Sequence, residues 1–229
     1  MIVKKILMVV TSHATMGESG RSTGVWFEEL STPYYVFKDA GLEVEIASIK
    51  GGPVPFDPHS IEAGEARPVS VTRFMNDPEA MQKAQASMKL DAADASNYAA
   101  IFLPGGHGTM WDLPASATLA HLLSDAWAKE KVLAAVCHGP AGLVNVKDAN
   151  GTPLVAGREA TGFSNSEEEA AGLTQSVPFL LEDRLRELGA LYRKAPDFHA
   201  HAIRDGRLVT GQNPASSEEA ARLTLQAIV

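Results

Sequence analysis

The chain holds a single cysteine, Cys137, at the end of an apolar run. Val132-Leu133-Ala134-Ala135-Val136-Cys137-His138-Gly139-Pro140 reads as a buried strand, a sharp turn and the start of a helix. Ala135 and Gly139 stand two residues either side of the sulfur. Both are small, as a tightly folded nucleophile elbow demands. The same stretch also suits a buried cysteine packed as a small hydrophobe. His138 beside the thiol, and the Gly-Pro after it, favour chemistry. A thiol becomes a nucleophile when a base takes its proton, and that base works best with its tautomer fixed by a third group.

The third group has candidates in Glu167, Glu168 and Glu169, which follow Ser166. Acidic residues at a helix start oppose the macrodipole, and Ser166 with Glu169 has capping-box spacing. Alternatively, one of the three orients His138. Glu29 is a further carboxylate of interest, because Pro33 four residues later disrupts a continuous helix. The helix either kinks there or restarts with Thr32 as its cap and Pro33 at its first position. Glu29 then sits at a break where it can face the cysteine and carry a proton, or it is a surface residue paired with Glu28. Gly105-Gly106-His107-Gly108 follows a predicted strand and can aim peptide N–H groups at an oxyanion. It can equally be a plain tight turn. It lacks the Lys-Ser/Thr of a P-loop and the spacing of a dinucleotide fingerprint. His199 and His201 alternate on a predicted strand and share a face, but the sequence offers no third metal ligand beside them. His13, His59, His107 and His121 carry no assignment.

The elements that must position these groups alternate. Lys5 to Thr11 and Leu42 to Ser48 read as strands around a helix that ends at Gly41, which makes a βαβ unit and a parallel sheet. A loop covers Ser12 to Ser22. Residues 51–97 are polar and proline-rich, with one helix over Asp77 to Met88. They read as an insertion too short for its own core. Tyr98 to Leu103 and Lys131 to Val136 are further strands around a helix over Asp112 to Lys129. Gly157 to Phe163 reads as another short strand, and Phe179 to Gly189 as a helix. Asp205-Gly206 marks a hairpin between Phe198–Ile203 and Arg207–Thr210. A helix over Ser217 to Ile228 closes the chain, with Ser216 and Glu219 at capping-box spacing. The pattern is one doubly wound α/β domain. In such sheets ligands bind at strand C-termini where the winding reverses. Cys137, Gly106 and the Ser12–Ser22 loop all follow such ends.

Composition narrows the partners. Of 229 residues, 45% are apolar, enough for one core, and the net charge of −8 with scattered Lys and Arg argues against nucleic acid. One cysteine excludes an internal disulfide and suits a reducing cytoplasm. The Ile6–Val10 run is too short for a secretory signal, and no apolar stretch is long enough to cross a membrane.

Four stretches taken together resemble the DJ-1/ThiJ/PfpI superfamily, and within it the Hsp31-like branch. They are Pro104-Gly105-Gly106-His107-Gly108-Thr109, Ala135-Val136-Cys137-His138-Gly139-Pro140, Thr161-Gly162-Phe163, and Gly206-Arg207-Leu208-Val209-Thr210-Gly211-Gln212-Asn213-Pro214. The resemblance implies a flavodoxin-like three-layer α/β sandwich with a mostly parallel sheet. It implies a glutathione-independent glyoxalase that turns methylglyoxal and water into D-lactate with no metal or organic cofactor. It also implies a homodimer. The family nucleophile falls on Cys137 and its histidine on His138. Its acidic partner lies five positions after Thr-Gly-Phe, at Glu168, and its cysteine-facing glutamate four before a helix proline, at Glu29. The oxyanion donors fall on the N–H groups of Gly106 and His138. Glu167 and Glu28 are the one-residue alternatives. Rival activities in the superfamily are a holding chaperone, a peptidase or amidohydrolase, and a redox sensor built on an exposed, acidic thiol. Glutamine amidotransferases carry a late His-x-Glu pair, which this chain lacks.

Overall fold

The computed structural model describes residues 4–61 and 67–228. Part of the 51–97 segment, at 62–66, and the first three residues of the amino-terminal run lie outside the described residues. Seven strands form one sheet: Lys5–Val10 (β1), Glu43–Ser48 (β2), Met88–Lys89 (β3), Ala100–Leu103 (β4), Val132–Val136 (β5), Ala202–Asp205 (β8) and Leu208–Gly211 (β9). Their order is β3-β2-β1-β4-β5-β9-β8. All neighbours are parallel except the β8–β9 hairpin. Two further short strands, Glu159–Ala160 (β6) and Leu191–Tyr192 (β7), make a small separate sheet.

The sheet is parallel because its strands are apolar on both faces. In β1, Leu7 and Val9 join one core while Ile6, Met8 and Val10 join the other. In β5, Leu133 and Ala135 divide in the same way from Val132, Ala134 and Val136. Helices Phe27–Asp39 (α1), Val69–Met75 (α2), Pro78–Gln85 (α3) and Ser217–Ala227 (α8) cover the second face. Ala117–Ala128 (α5) and Leu181–Glu187 (α7) cover the first. The chain winds outward from β1 to β3 and then returns to β4 on the other side of β1. The winding therefore reverses at the β1–β4 boundary, and the turns after β1, β4 and β5 open at that edge.

Several elements differ from their sequence expectation. Helix α1 is continuous through Pro33, because Leu30, Tyr34 and Phe37 are fully buried and hold it together. Residues 69–75, expected as loop, form α2, and the helix expected over Asp77 to Met88 ends at Gln85 so that Met88–Lys89 can pair with β2. The helix expected from Asp112 divides into Thr109–Asp112 (α4) and α5, the latter capped by Ser116. The strand expected over Gly157 to Phe163 shrinks to β6. The hairpin turn moves by one residue, with Asp205 opposite Leu208 and Gly206 at φ +61°. His199 and His201 precede β8 and are not on a strand. The His199 ring contacts the Asp197 carbonyl, and the His201 N–H donates to Ser216 Oγ. Ser216 is therefore engaged with Asn213 and His201, not with Glu219. No helix among the described residues is long and apolar enough to cross a membrane.

Candidate active site

Strand β5 delivers Cys137 into the left-handed region, at φ +59°. That conformation costs a non-glycine residue about 1–3 kcal/mol and persists only where the surroundings over-determine it. Burial of the β5 side chains and a Cys137 N–H bond to the Gly211 carbonyl at 2.9 Å supply the constraint. The turn after β4 lies directly opposite. Gly105 is required there, since a Cβ would sit 2.6 Å from both His138 N and the Val136 carbonyl oxygen. Gly106 follows at φ +100°, and its N–H points at the Cys137 sulfur.

Two side chains line up behind the sulfur. His138 Nδ1 is 3.3 Å from Cys137 Sγ, and His138 Nε2 is 2.8 Å from Glu168 Oε2. Helix Asn165–Ala170 (α6) places Glu168, and the neighbouring Glu167 faces elsewhere. Glu167 Oε2 accepts from the Ser164 N–H and hydroxyl, and its Oε1 accepts from the Phe198 N–H and the Asn213 amide. Ser164 with Glu167, rather than Ser166 with Glu169, makes the capping box of α6. From the other side comes Glu29, fully buried in α1. The Gly105 N–H donates to Glu29 Oε2 at 2.7 Å. Glu29 Oε1 is buried with no hydrogen-bond partner among the described residues. The group left to share a proton with it is the Cys137 thiol. Glu28, one residue earlier, is partly exposed.

His107, which the sequence leaves without an assignment, belongs to the same cluster. Its Nε2 lies 2.9 Å from Glu168 Oε1, so both oxygens of one buried carboxylate meet an imidazole. The two rings are 4.1 Å apart at their centroids. The sequence signal was a histidine between the glycines of the β4 turn. Its spacing to Glu168 along the chain carries no information, because the two belong to separate elements.

The electrostatics follow from burial and partners. Burial acts to raise the Glu168 carboxyl, but the adjacent His138 imidazole and the hydrogen bonds from His107 and His138 prevail and hold it well below the usual carboxylate range. An ionised Glu168 only accepts, so both Nε2 atoms are assigned as N–H donors. That leaves His138 Nδ1 unprotonated and facing the sulfur. Burial, then the neighbouring His107, lower His138 below its ordinary 6.5, which keeps it a neutral base. Burial pushes the Glu29 carboxyl well above its usual value, and its contacts with Cys137 and Gly105 offset only part of this. Burial, then the Glu29 carboxyl, also push the Cys137 thiol up. The exposed, acidic thiol of the redox-sensor expectation is thus absent. Cys137 is 3% exposed, with the His138 imidazole on one side and the Glu29 carboxyl on the other. His107, His138 and Glu168 also place three metal-ligating atoms within 4.8 Å of one another. Each Glu168 oxygen already has its own imidazole N–H, so the group is satisfied as a hydrogen-bonded cluster.

The sulfur opens onto a cavity of about 340 Å³, lined by Gly106, His107, His138 and a set of apolar side chains. A parallel α/β sheet with a cysteine elbow beside its switch point, backed by a His–Glu pair, defines the class of nucleophile-elbow α/β proteins. The chain belongs to the DJ-1/PfpI family, whose sequence model matches residues 23–227. It is similar to the glutathione-independent glyoxalase HSP31 of Saccharomyces cerevisiae, at 34% identity over 100% of this chain and 99% of that protein. Among solved structures it is similar to Rapid Encystment Protein 24 KDa of Francisella tularensis (TM-score 0.95, 40% identity, 99% of this chain and 100% of the other). It is also similar to glyoxalase III of Candida albicans (TM-score 0.89, 30% identity, 98% and 97%).

Proposed function

We propose that the protein is a glutathione-independent glyoxalase that converts methylglyoxal and related small 2-oxoaldehydes, with water, to 2-hydroxy acids. The observation that carries this reading is the line Glu168–His138–Cys137 with a buried, protonatable Glu29 on the far side of the sulfur. His138 Nδ1 takes the thiol proton as sulfur attacks the aldehyde carbon. The N–H groups of Gly106 and His138 receive the developing oxyanion. The hemithioacetal that forms still carries hydrogen on the former aldehyde carbon. A base removes that proton to give an enediol, and the neighbouring carbon is reprotonated, which leaves a thioester of the 2-hydroxy acid. Water then cleaves the C–S bond and restores the thiol. Glu29 suits the proton relay, because one of its oxygens is pinned by Gly105 and the other is free. No step consumes an oxidant or reductant.

Purified protein incubated with methylglyoxal and no glutathione, with lactate stereochemistry as readout, tests the proposal. D-lactate is the expected product, and absence of lactate would remove the reading. The cytoplasmic location and the homodimer implied by the family resemblance belong to the same proposal. A dimer elutes at about twice the 24.4 kDa of one chain.

His107 acts in this scheme as a positioning residue. Its second hydrogen bond holds Glu168 ionised and turned toward His138. His107→Ala should lower kcat about 10- to 100-fold, the worth of a hydrogen bond to a buried charge. The pH profile gives a separate readout. His138 must be neutral to act, and its lowered pKa lets activity persist below pH 6.5. His107 contributes to that lowering, so its removal should move the acid limb of kcat/KM to higher pH. An unmoved limb would leave His107 with a packing role only.

A further inference from the structure

The cavity over the sulfur is much larger than a three-carbon aldehyde needs. A volume of about 340 Å³ falls in the range of pockets that enclose drug-sized ligands with mostly apolar walls. Beyond the sulfur and the two histidines, the walls include Met16, Trp26, Phe163, Leu173 and Phe198. Of the other ionisable members, Arg21 and His59 are solvent-exposed, and Asp57 is a buried carboxylate that accepts from the Thr23 hydroxyl and the His59 N–H. The Phe163 ring packs on His138 at 4.4 Å, and Phe198 stands next in line, 6.3 Å from Phe163. A row of rings therefore leads from the reacting sulfur outward.

Phe198 is unusual in two independent ways. Its ring is among the large apolar side chains left open to solvent, at 52% exposure. Its backbone sits at φ +60°, a region that bulky residues rarely adopt. The device that holds it is Glu167. This carboxylate is completely buried, accepts the Phe198 N–H at 2.8 Å and ties the same loop to Asn213. A strained residue held by a buried carboxylate beside a reactive sulfur points from the outlier to a role at the site. Glu167 and Glu168 then divide the work of one helix turn: Glu168 serves the base, and Glu167 sets the loop over the pocket.

We infer that the Phe163–Phe198 wall selects 2-oxoaldehydes bearing an apolar, ring-sized substituent, with Phe198 as the specificity-determining residue and Glu167 as its positioning residue. The inference rests on the glyoxalase reading above and names the substrate class of the same site. The substituent on the ketone carbon packs against the wall formed by the two phenyl rings while the aldehyde carbon meets Cys137. The atoms balance as before, because an aryl 2-oxoaldehyde plus water gives an aryl 2-hydroxy acid.

The test is kcat/KM for phenylglyoxal, read as mandelate formed, against methylglyoxal, read as lactate formed. The wild-type protein should favour phenylglyoxal by about 10-fold or more, the scale of discrimination an apolar pocket achieves. Phe198→Ala should lower the phenylglyoxal-to-methylglyoxal ratio about 10-fold, and Phe198→Leu should lower it less. Glu167→Gln should lower the same ratio through KM for phenylglyoxal, because the loop is released while the Glu168–His138 pair remains. If Glu167→Gln does not fold, the two Phe198 variants decide. A wild-type protein that prefers methylglyoxal, or a ratio unchanged in Phe198→Ala, overturns the inference and leaves the glyoxalase reading standing. A wild-type protein that forms neither product overturns both.

Discussion

Replacement of Cys137 by serine should lower methylglyoxal turnover by at least about 10³-fold, with the fold unchanged by circular dichroism. Serine is nearly isosteric, so the elbow at φ +59° and the wall formed by Gly106 keep their shape. What changes is the acidity of the attacking group. The thiol is already raised by burial and by Glu29, and His138 lies close enough to take its proton. A hydroxyl in the same place starts several units higher and is out of reach of a neutral imidazole whose own pKa is lowered. The same variant separates the enzyme from the chaperone reading. Client holding depends on exposed apolar surface, and a cysteine that is 3% exposed contributes almost none. Suppression of client aggregation that survives in Cys137→Ser would therefore be independent of the site. Lactate formation that survives would rule out a cysteine adduct.

Replacement of Glu29 by glutamine should divide two properties that usually move together. Turnover should fall about 10²- to 10⁴-fold, the usual contribution of a positioned acid–base group. Alkylation of Cys137 by iodoacetamide should become faster. The sign follows from the neighbours. The Glu29 carboxyl helps to raise the Cys137 thiol, so a neutral amide lets the thiol ionise more readily. Glutamine can still accept the Gly105 N–H through its carbonyl, which preserves the turn after β4. It has no proton to exchange, and the relay between the two substrate carbons stops. Equal losses in alkylation and turnover would show that the substitution had disturbed the elbow itself. Unaltered turnover would move the relay to His138.

The residues expected at the site reach it by different amounts of inference. Cys137, His138 and the turn at Gly105–Gly106 belong to local patterns, a strand followed by a sharp turn with small residues where backbones meet. Such patterns are written in consecutive residues, so they are visible without a fold. The parallel sheet is legible for the same reason. Strands buried on both faces must be apolar throughout, as Leu7 to Val10 and Val132 to Val136 are. The short elements were less legible. β3, β6 and β7 are two residues each, and α2 follows a proline-rich stretch, so packing alone defines them.

Which carboxylates serve the sulfur was decided by the tertiary structure. Successive residues of a helix point about 100° apart, so Glu167 and Glu168 cannot face the same neighbour. The placement of α6 in the fold turned Glu168 to His138 and Glu167 to Phe198 and Asn213. The resemblance placed Glu168 by counting from Thr-Gly-Phe, but the residue types alone left three glutamates equal. Glu29 likewise differs from Glu28 only through the packing of α1, which continues through Pro33 because its apolar face is buried. His107 and Phe198 gave no local sign of their place beside Cys137. Each meets its partners across long chain separations, where no periodicity reports contact. The order of residues determined a thiol at a strand end and an apolar sheet behind it. Packing of separate elements decided that the thiol would be buried, pushed up in pKa and flanked by an imidazole and a carboxyl, because burial and neighbouring charge are properties of the assembled fold.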